Sequence, residues 1–375
     1  MIIDKKAFLS IYMLLIFLFF TLDLNSPFIF YGNLLIFIPI LVLFRFIYYP
    51  KVSVKKIVLT LFLIFFWEIL IYIQSFSTLY DNLILNSQRS VFLFISMFLI
   101  SDLVDKIDKE IILKSLNYYI AFLSLIVVLQ FLGVYIFGLS SKSVDVSVLL
   151  GGEVSRSEYM DDLYRPTGLM SEPAAFVGAQ IALLSLQYIM SKKNDFYRFL
   201  GIFSVLLSLS FAGFILVAIY SIIVFTKNIK NFLTLILIAV MAFIGLSEVI
   251  KDRLEVLGTD KDGSNNVKFE ALQYFFSDPM HIFFGYGNIV RTPRTPIFFE
   301  GATDITFFFA IIAIFGVFVG GGILLGFITW LFRSKYNYKE KVVILLPLIK
   351  LTNPALIFFS CFIFLILSLE RRDRQ

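Results

Sequence analysis

Residues 164–179 read YRPTGLMSEPAAFVGA and mark the place where a polar loop gives way to an apolar run. Arg165 and Glu172 stand seven positions apart, with Pro166, Gly168 and Pro173 between or beside them. Ser171 has the side chain of an N-cap. Pro173 falls in the first helical turn, where its missing N–H costs nothing. The spacing predicts a helix that starts at about Glu172 and enters a membrane, with its free amides pointing back toward the loop and Arg165. An arginine fork beside a helix N-terminus is a place for an anion. A capped helix with a surface ion pair reads equally well from these residues, so the rest of the chain has to decide.

Of the 375 residues, 59% are hydrophobic and 16% charged, against about 45–50% and about 25% in an average soluble domain. Mean hydropathy is +0.90. Apolar runs recur from end to end, which predicts an all-α polytopic membrane protein forming one integral membrane domain over residues 1–375. The runs are continuously apolar rather than alternating, which excludes a β-barrel. Cys361 is the single cysteine, so no intrachain disulfide can form. His281 is the single histidine, so no His-rich metal site can form, and metal independence is expected. Nothing points to a nucleic acid or to a cofactor. The first apolar run lacks a small-residue cleavage site and reads as a retained helix.

Spans are expected over about 7–22, 28–47, 57–73, 83–100, 111 or 116–137 and 172–190. The block 199–226 has Arg198 before it and Lys227 and Lys230 after it. If positive charge marks the cytoplasm, this block goes out and comes back, with a break near residues 208–213. The block 342–369 repeats the pattern between Arg333, Lys335, Lys339 and Lys341 and Arg371, Arg372 and Arg374. Its break is expected at Thr352-Asn353-Pro354. Each block reads alternatively as one long tilted helix. Spans over 231–246 and 303–332 complete about twelve, with both termini cytoplasmic. In that topology 21 of the 32 Lys and Arg fall in inside segments. The two long outer loops, about 138–171 and 247–302, carry most of the rest. Long loops are exempt from the charge rule.

Those loops hold the candidate chemistry. Residues 284–288, FGYGN, form a turn that needs glycine. Arg291 and Arg294 follow, three apart, as a diphosphate clamp or a solvated basic loop near headgroups. Arg89 lies within a span and belongs at the outer rim or facing a cavity. Glu172 and Asp304 stand where helices enter the membrane from outside. Each could accept a proton from an attacking hydroxyl or only complement a helix N-terminus. His281 is expected to pack structurally.

The segment RPTGLMSEPA (165–174) resembles the Arg…Gly…Ser-Glu-Pro segment of bacterial O-antigen and capsule polymerases of the Wzy type. Residues 206–213, LLSLSFAG, look like their short outer break. FGYGN, followed by IFGVFVG over 314–320, resembles their second outer loop and the helix after it. Asn353-Pro354 and the basic tail complete the likeness, which covers most of the chain from about residue 155. The resemblance implies a GT-C-like glycosyltransferase of the bacterial inner membrane that joins undecaprenyl-diphosphate-linked repeat units on the periplasmic face. Arg165, Arg291, Arg294 and Arg89 would hold the diphosphate, and Glu172 or Asp304 would act as base. No nucleotide sugar is needed, and a chain-length regulator is the candidate partner protein. O-antigen ligases share the plan but carry a His-Asn pair after the glycine turn, where this chain has Arg291 and Arg294. A flippase or other transporter of lipid-linked oligosaccharide is the alternative from another class. It would put charge at mid-membrane, where this chain has mainly Arg89.

Overall fold

The computed structural model describes residues 5–22, 53–76, 106–155, 158–159, 163–192, 195–225, 263–287, 298–351 and 357–372, with a few single positions between. Helices follow the apolar runs. Helix α1 (Lys5–Thr21), α2 (Val54–Gln74) and α3 (Lys109–Tyr135) match the expected first, third and fifth spans. The first polar segment is more ordered than a plain loop. It holds two single-turn helices, α4 (Ser141–Val144) and α5 (Val146–Leu149), and a two-residue antiparallel ladder. In that ladder β1 (Glu158–Tyr159) pairs with β2 (Leu163–Tyr164), Glu158 opposite Tyr164. Then come α6 (Pro173–Met190), α7 (Phe196–Leu207) and α8 (Phe211–Phe225). The second polar segment holds α9 (Gly263–Ser277), α10 (Pro279–Phe284) and α11 (Phe298–Ile305). Helix α12 (Phe307–Arg333), α13 (Tyr338–Leu345) with a 3-10 turn (Leu346–Ile349), and α14 (Ile357–Arg372) close the chain. The spans expected over 28–47, 83–100 and 231–246 lie outside the described residues apart from isolated helical positions, as does the 352–354 break.

Four helices, α2, α3, α6 and α12, are long and apolar enough to cross a membrane. They use their surfaces differently. Helix α2 leaves Leu59, Leu61, Phe62 and Phe65 about 60% exposed. An apolar face that large suits lipid rather than water. Helix α6 is the opposite case: 83% of its apolar window is buried. It is apolar all round because protein surrounds it. Helices α3, α7, α8, α13 and α14 pack against it, and Phe176, Val177, Ile181, Leu183 and Leu184 are fully buried there.

Polar contacts fix the direction of α3 against α6. Gln187 donates to Asn117 (2.7 Å), Gln180 donates to Ser124 (3.0 Å), and Phe176 packs near Val127 over Gly168. The pairing runs backward along α6 as it runs forward along α3, so the two are antiparallel.

Both doubly basic blocks are helical hairpins rather than single tilted helices. Helix α7 starts beside the end of α6, where Arg198 meets Gln187 and Ser191. It ends at Ser208, and Leu209 takes a positive φ of 51°. Helix α8 then passes Val177 at Gly213 and returns until Phe225 stacks on Phe199 at 5.2 Å. The second hairpin starts at Asn337, whose side chain and Glu340 form a capping box. Its outward limb runs along α6 until the Lys350 and Leu351 backbone touches Gly178. Helix α14 comes back to put Glu370 in the same cavity as Lys335 and Glu340. The outward limb gives up α-helical pairing earlier than the sequence suggests, at the 3-10 turn holding Pro347, whose ring excludes an internal amide donor.

Candidate functional site

The expected anion cradle begins at α6, and the chain enters it as the X–Pro pair requires. Glu172 is extended (φ −153°, ψ 156°) and Pro173 occupies the first helical position. This moves the N-cap one residue later than expected: Glu172 holds that place, not Ser171, and its carboxylate makes no capping bond. Glutamate is a poor cap because its carboxylate sits one methylene too far out for the N2 and N3 amides. Glu172 is half-buried at the mouth of the bundle's central helix.

Behind Glu172 the segment 164–170 is almost wholly buried, with Arg165 the half-buried exception. It is held to α3 by two side chains. Gln130 accepts from the Gly168 amide at 2.8 Å and donates to the Gly168 carbonyl at 3.3 Å and the Val144 carbonyl at 3.2 Å. The Tyr135 hydroxyl donates to the Tyr164 carbonyl at 2.5 Å. Gly168 has φ +64°, and a Cβ there would press on Phe176 at 3.1 Å and Val127 at 3.3 Å. Only glycine suits that turn.

A second anchor lies one layer out. Asp145 is 1% exposed and accepts from the Ser147 amide (2.8 Å), the Ser155 amide (2.7 Å) and the Ser155 hydroxyl (2.9 Å). Three donors compensate for burying that carboxylate. The Tyr164 hydroxyl is buried with no hydrogen-bond partner among the described residues. Burial, then the nearby Asp145 charge and Tyr135, push the phenol well above its ordinary value.

The other sequence candidates fall differently. Asp304 lies in the last turn of α11, not at the start of the membrane helix. Thr306 is the N-cap of α12, its hydroxyl accepting from the Phe309 amide at 3.3 Å. A hydroxyl that caps, placed directly before a Phe run, starts the helix later than hydropathy suggests. Arg89, Arg291 and Arg294 lie outside the described residues. His281 is packed as expected: it is 3% exposed, its Nδ1 is 3.2 Å from the Tyr274 carbonyl, and its ring lies 4.6 Å from that of Tyr274.

The glycine turn before Arg291 is built into α12. Gly285 (φ +74°) and Gly316 (φ +73°) meet back to back: a Cβ on Gly316 would lie 2.2 Å from the Phe283 oxygen. Gly316 breaks α12 internally and leaves carbonyls without helical partners. Tyr286 and Gly287 donate their amides to Ala313 and Ile314 at 3.0 and 3.2 Å. Gln74, from α2, donates to the Ile314 and Phe284 carbonyls at 2.7 and 2.8 Å. An aromatic cluster of Tyr274, Phe275, Tyr286 and Phe299 then ties α9, α10 and α11 over the same end of α12.

Sequence reasoning did not single out Gln130, Asp145, Tyr135 or Gln74. The available signal was a glutamine in each of two apolar spans, since polar groups there need a partner. Among the described residues, no group of three or more His, Cys, Asp and Glu is arranged to hold a metal. Compared with protein-family models, curated proteins and solved structures, the chain matches none.

Proposed function

We propose that this chain is a surface-polysaccharide polymerase of the bacterial inner membrane. Its fold would be GT-C-like, with about twelve spans, both termini cytoplasmic and periplasmic loops over about 138–171 and 247–302. The donor is a glycan on undecaprenyl diphosphate, and the acceptor is a repeat unit on a second such lipid. The acceptor hydroxyl oxygen bonds to the donor's anomeric carbon as the bond from that carbon to the diphosphate oxygen breaks. The electron pair leaves with the diphosphate, and the hydroxyl proton passes to a carboxylate, Glu172 first and Asp304 second. Arg165, Arg291, Arg294 and Arg89 offset the charge that develops on the diphosphate.

One observation carries this reading. Arg165 and Glu172 bracket a buried segment pinned by Gln130 and Tyr135 at the mouth of the most enclosed of the four long apolar helices among the described residues. A capped surface helix needs no such rigid support. A site for charge separation does, because donors must be in place before the charge develops. The second supporting feature is that FGYGN, which leads to Arg291 and Arg294, is fixed at its glycines by α12 and Gln74.

The test is the surface polysaccharide of cells carrying Arg165→Ala or Glu172→Gln at normal protein level, resolved on a gel. The expected result is loss of the long-chain ladder with a single repeat unit retained. A normal ladder from Glu172→Gln removes that base, and one from Arg165→Ala removes that clamp. A null strain that shows no repeat unit outside the cell points to a flippase instead. One that strands finished polymer on the carrier lipid points to a ligase.

A further inference from the structure

At the end of the bundle opposite the Arg165–Glu172 segment there is a cavity of about 370 Å³. Ligand pockets run from about 300 to 1,000 Å³. Helix α3 begins there, and α6, α12 and α14 end nearby. Its charged and polar walls are Lys109, Lys192, Lys335, Tyr336, Glu340 and Glu370, with the last turn of α6 as the apolar side. Since α3 spans 27 residues, the cavity and the Gln130 clamp lie about 30 Å apart along it at 1.5 Å per residue.

The charges in the wall are not symmetric in their duties. Glu340 is committed to the fold: one oxygen meets Lys192 at 2.6 Å and the other accepts from the Asn337 amide at 2.7 Å. Glu370 is 3% exposed. Three lysines and these two glutamates line the cavity, a formal excess of one positive charge among the lining side chains. The Ser191 carbonyl after α6 takes its bond from Arg198 (2.7 Å), and the Phe332 carbonyl of α12 takes its bond from Lys341 (2.9 Å). Neither donor lines the cavity. Beside this end, Phe196, Phe332 and Tyr338 are each more than 70% exposed. An exposed tyrosine such as Tyr338 at the end of an apolar helix marks headgroup level, and basic pockets between such helices suit lipid phosphates.

We infer that this cavity binds the phosphate of an anionic phospholipid headgroup, held by Lys109, Lys192 and Lys335. The phosphate enters between the ends of α3, α6 and α14, and the acyl chains run along the apolar surface outside. The site is independent of the polymerase reading and needs only that the bundle lies in a membrane. Its test uses no activity, so the two can fail separately.

The experiment takes the purified full chain in detergent and measures lipid retained by native mass spectrometry, together with thermal stability. The probes are phosphatidylglycerol, phosphatidylcholine and inorganic phosphate. Phosphatidylglycerol is expected to be retained and to raise Tm, while phosphatidylcholine does neither. Lys109→Gln with Lys335→Gln is expected to weaken retention about thirtyfold, and Lys109→Arg with Lys335→Arg to restore it. Lys192 is left in place because its ion pair supports α13. Equal retention of the two lipids, or unchanged retention in the Gln variant, overturns the site. A Tm rise with inorganic phosphate alone, lost in the Gln variant, overturns the lipid source in favour of a soluble phosphate.

Discussion

Replacing Gln130 with Leu tests the support of the candidate site most directly. The two side chains have similar volume, so the packing of α3 on α6 should survive. What is lost is three hydrogen bonds, one accepted from the Gly168 amide and two donated to the Gly168 and Val144 carbonyls. The Gly168 backbone is buried, so water cannot replace them without opening the segment. A buried donor or acceptor left unsatisfied costs about 1–3 kcal/mol. The Gly168 amide and carbonyl together then destabilise the closed segment by about 2–6 kcal/mol, which is roughly a 30- to 20,000-fold rise in its opening constant. The large core around α6 does not depend on these bonds, so the change should be local. Hydrogen exchange of the Gly168 and Met170 amides, followed by mass spectrometry of peptides from 160–175, should speed up by that factor. Exchange in α7 should not change. If Gln130→Leu leaves exchange over 164–170 at the parent rate, the clamp is not what holds the segment and its rigidity has another source.

Three further outcomes follow from the same geometry. Gly316→Ala puts a Cβ within 2.2 Å of a backbone oxygen at φ +73° and should destabilise by at least about 3 kcal/mol; a thermal melt within a degree of the parent would contradict the kink. Arg198→Met removes the donors to the Gln187 side chain (3.2 Å) and the Ser191 carbonyl (2.7 Å) from a fully buried site. It should cost about 2–4 kcal/mol, with Arg198→Lys recovering part, as read by the melting temperature in detergent. Tyr164→Phe removes a buried hydroxyl that has no partner among the described residues and should be neutral or stabilising by about 1 kcal/mol at pH 7. Because the folded phenol is raised from an ordinary value of 10.0, Tyr164 makes stability level below about pH 10. Stability then falls above that as the unfolded chain ionises first. Tyr164→Phe should shallow this alkaline fall, and an unchanged profile would show that Tyr164 is not so enclosed.

Where the sequence was legible, a local rule had decided the structure. Pro173 forces Glu172 to be extended, so the start of α6 could be read to within a residue. Basic residues at both ends of 199–226 and 342–369 required those blocks to return to the side they left. Phe225 beside Phe199, and Glu370 in the cavity with Lys335, meet that requirement. Gly285 and Gly287 have the positive φ that FGYGN suggested. What was not legible depends on pairs far apart in the chain. Gln130 is 38 residues from Gly168, and Gln74 is 240 from Ile314. A side chain that binds a backbone carbonyl imposes no residue type on its partner, so it leaves no pattern to read. Asp304 was misplaced for a local reason: two helices follow one another with only the Thr306 cap between them, and the second begins at Phe307.

The recurrence of glutamine has a physical reason. The kink at Gly316 and the turn at Gly168 both bare backbone carbonyls where water is scarce, and those carbonyls need donors. Lysine or arginine could donate, but at the depth of an apolar helix each would carry a charge to be desolvated. Serine and threonine are shorter and often bond back to their own helix, as Ser185 does to Ile181 at 2.7 Å; they cross only where helices lie close, as Ser115 does to the Ser10 carbonyl at 3.1 Å. A glutamine reaches across, donates two hydrogens without charge, and can accept as well. Gln130 uses both capacities on one glycine, and Gln74 spends both hydrogens on two carbonyls of one junction. The two segments that carry Arg165 and lead to Arg291 are therefore held by neutral donors.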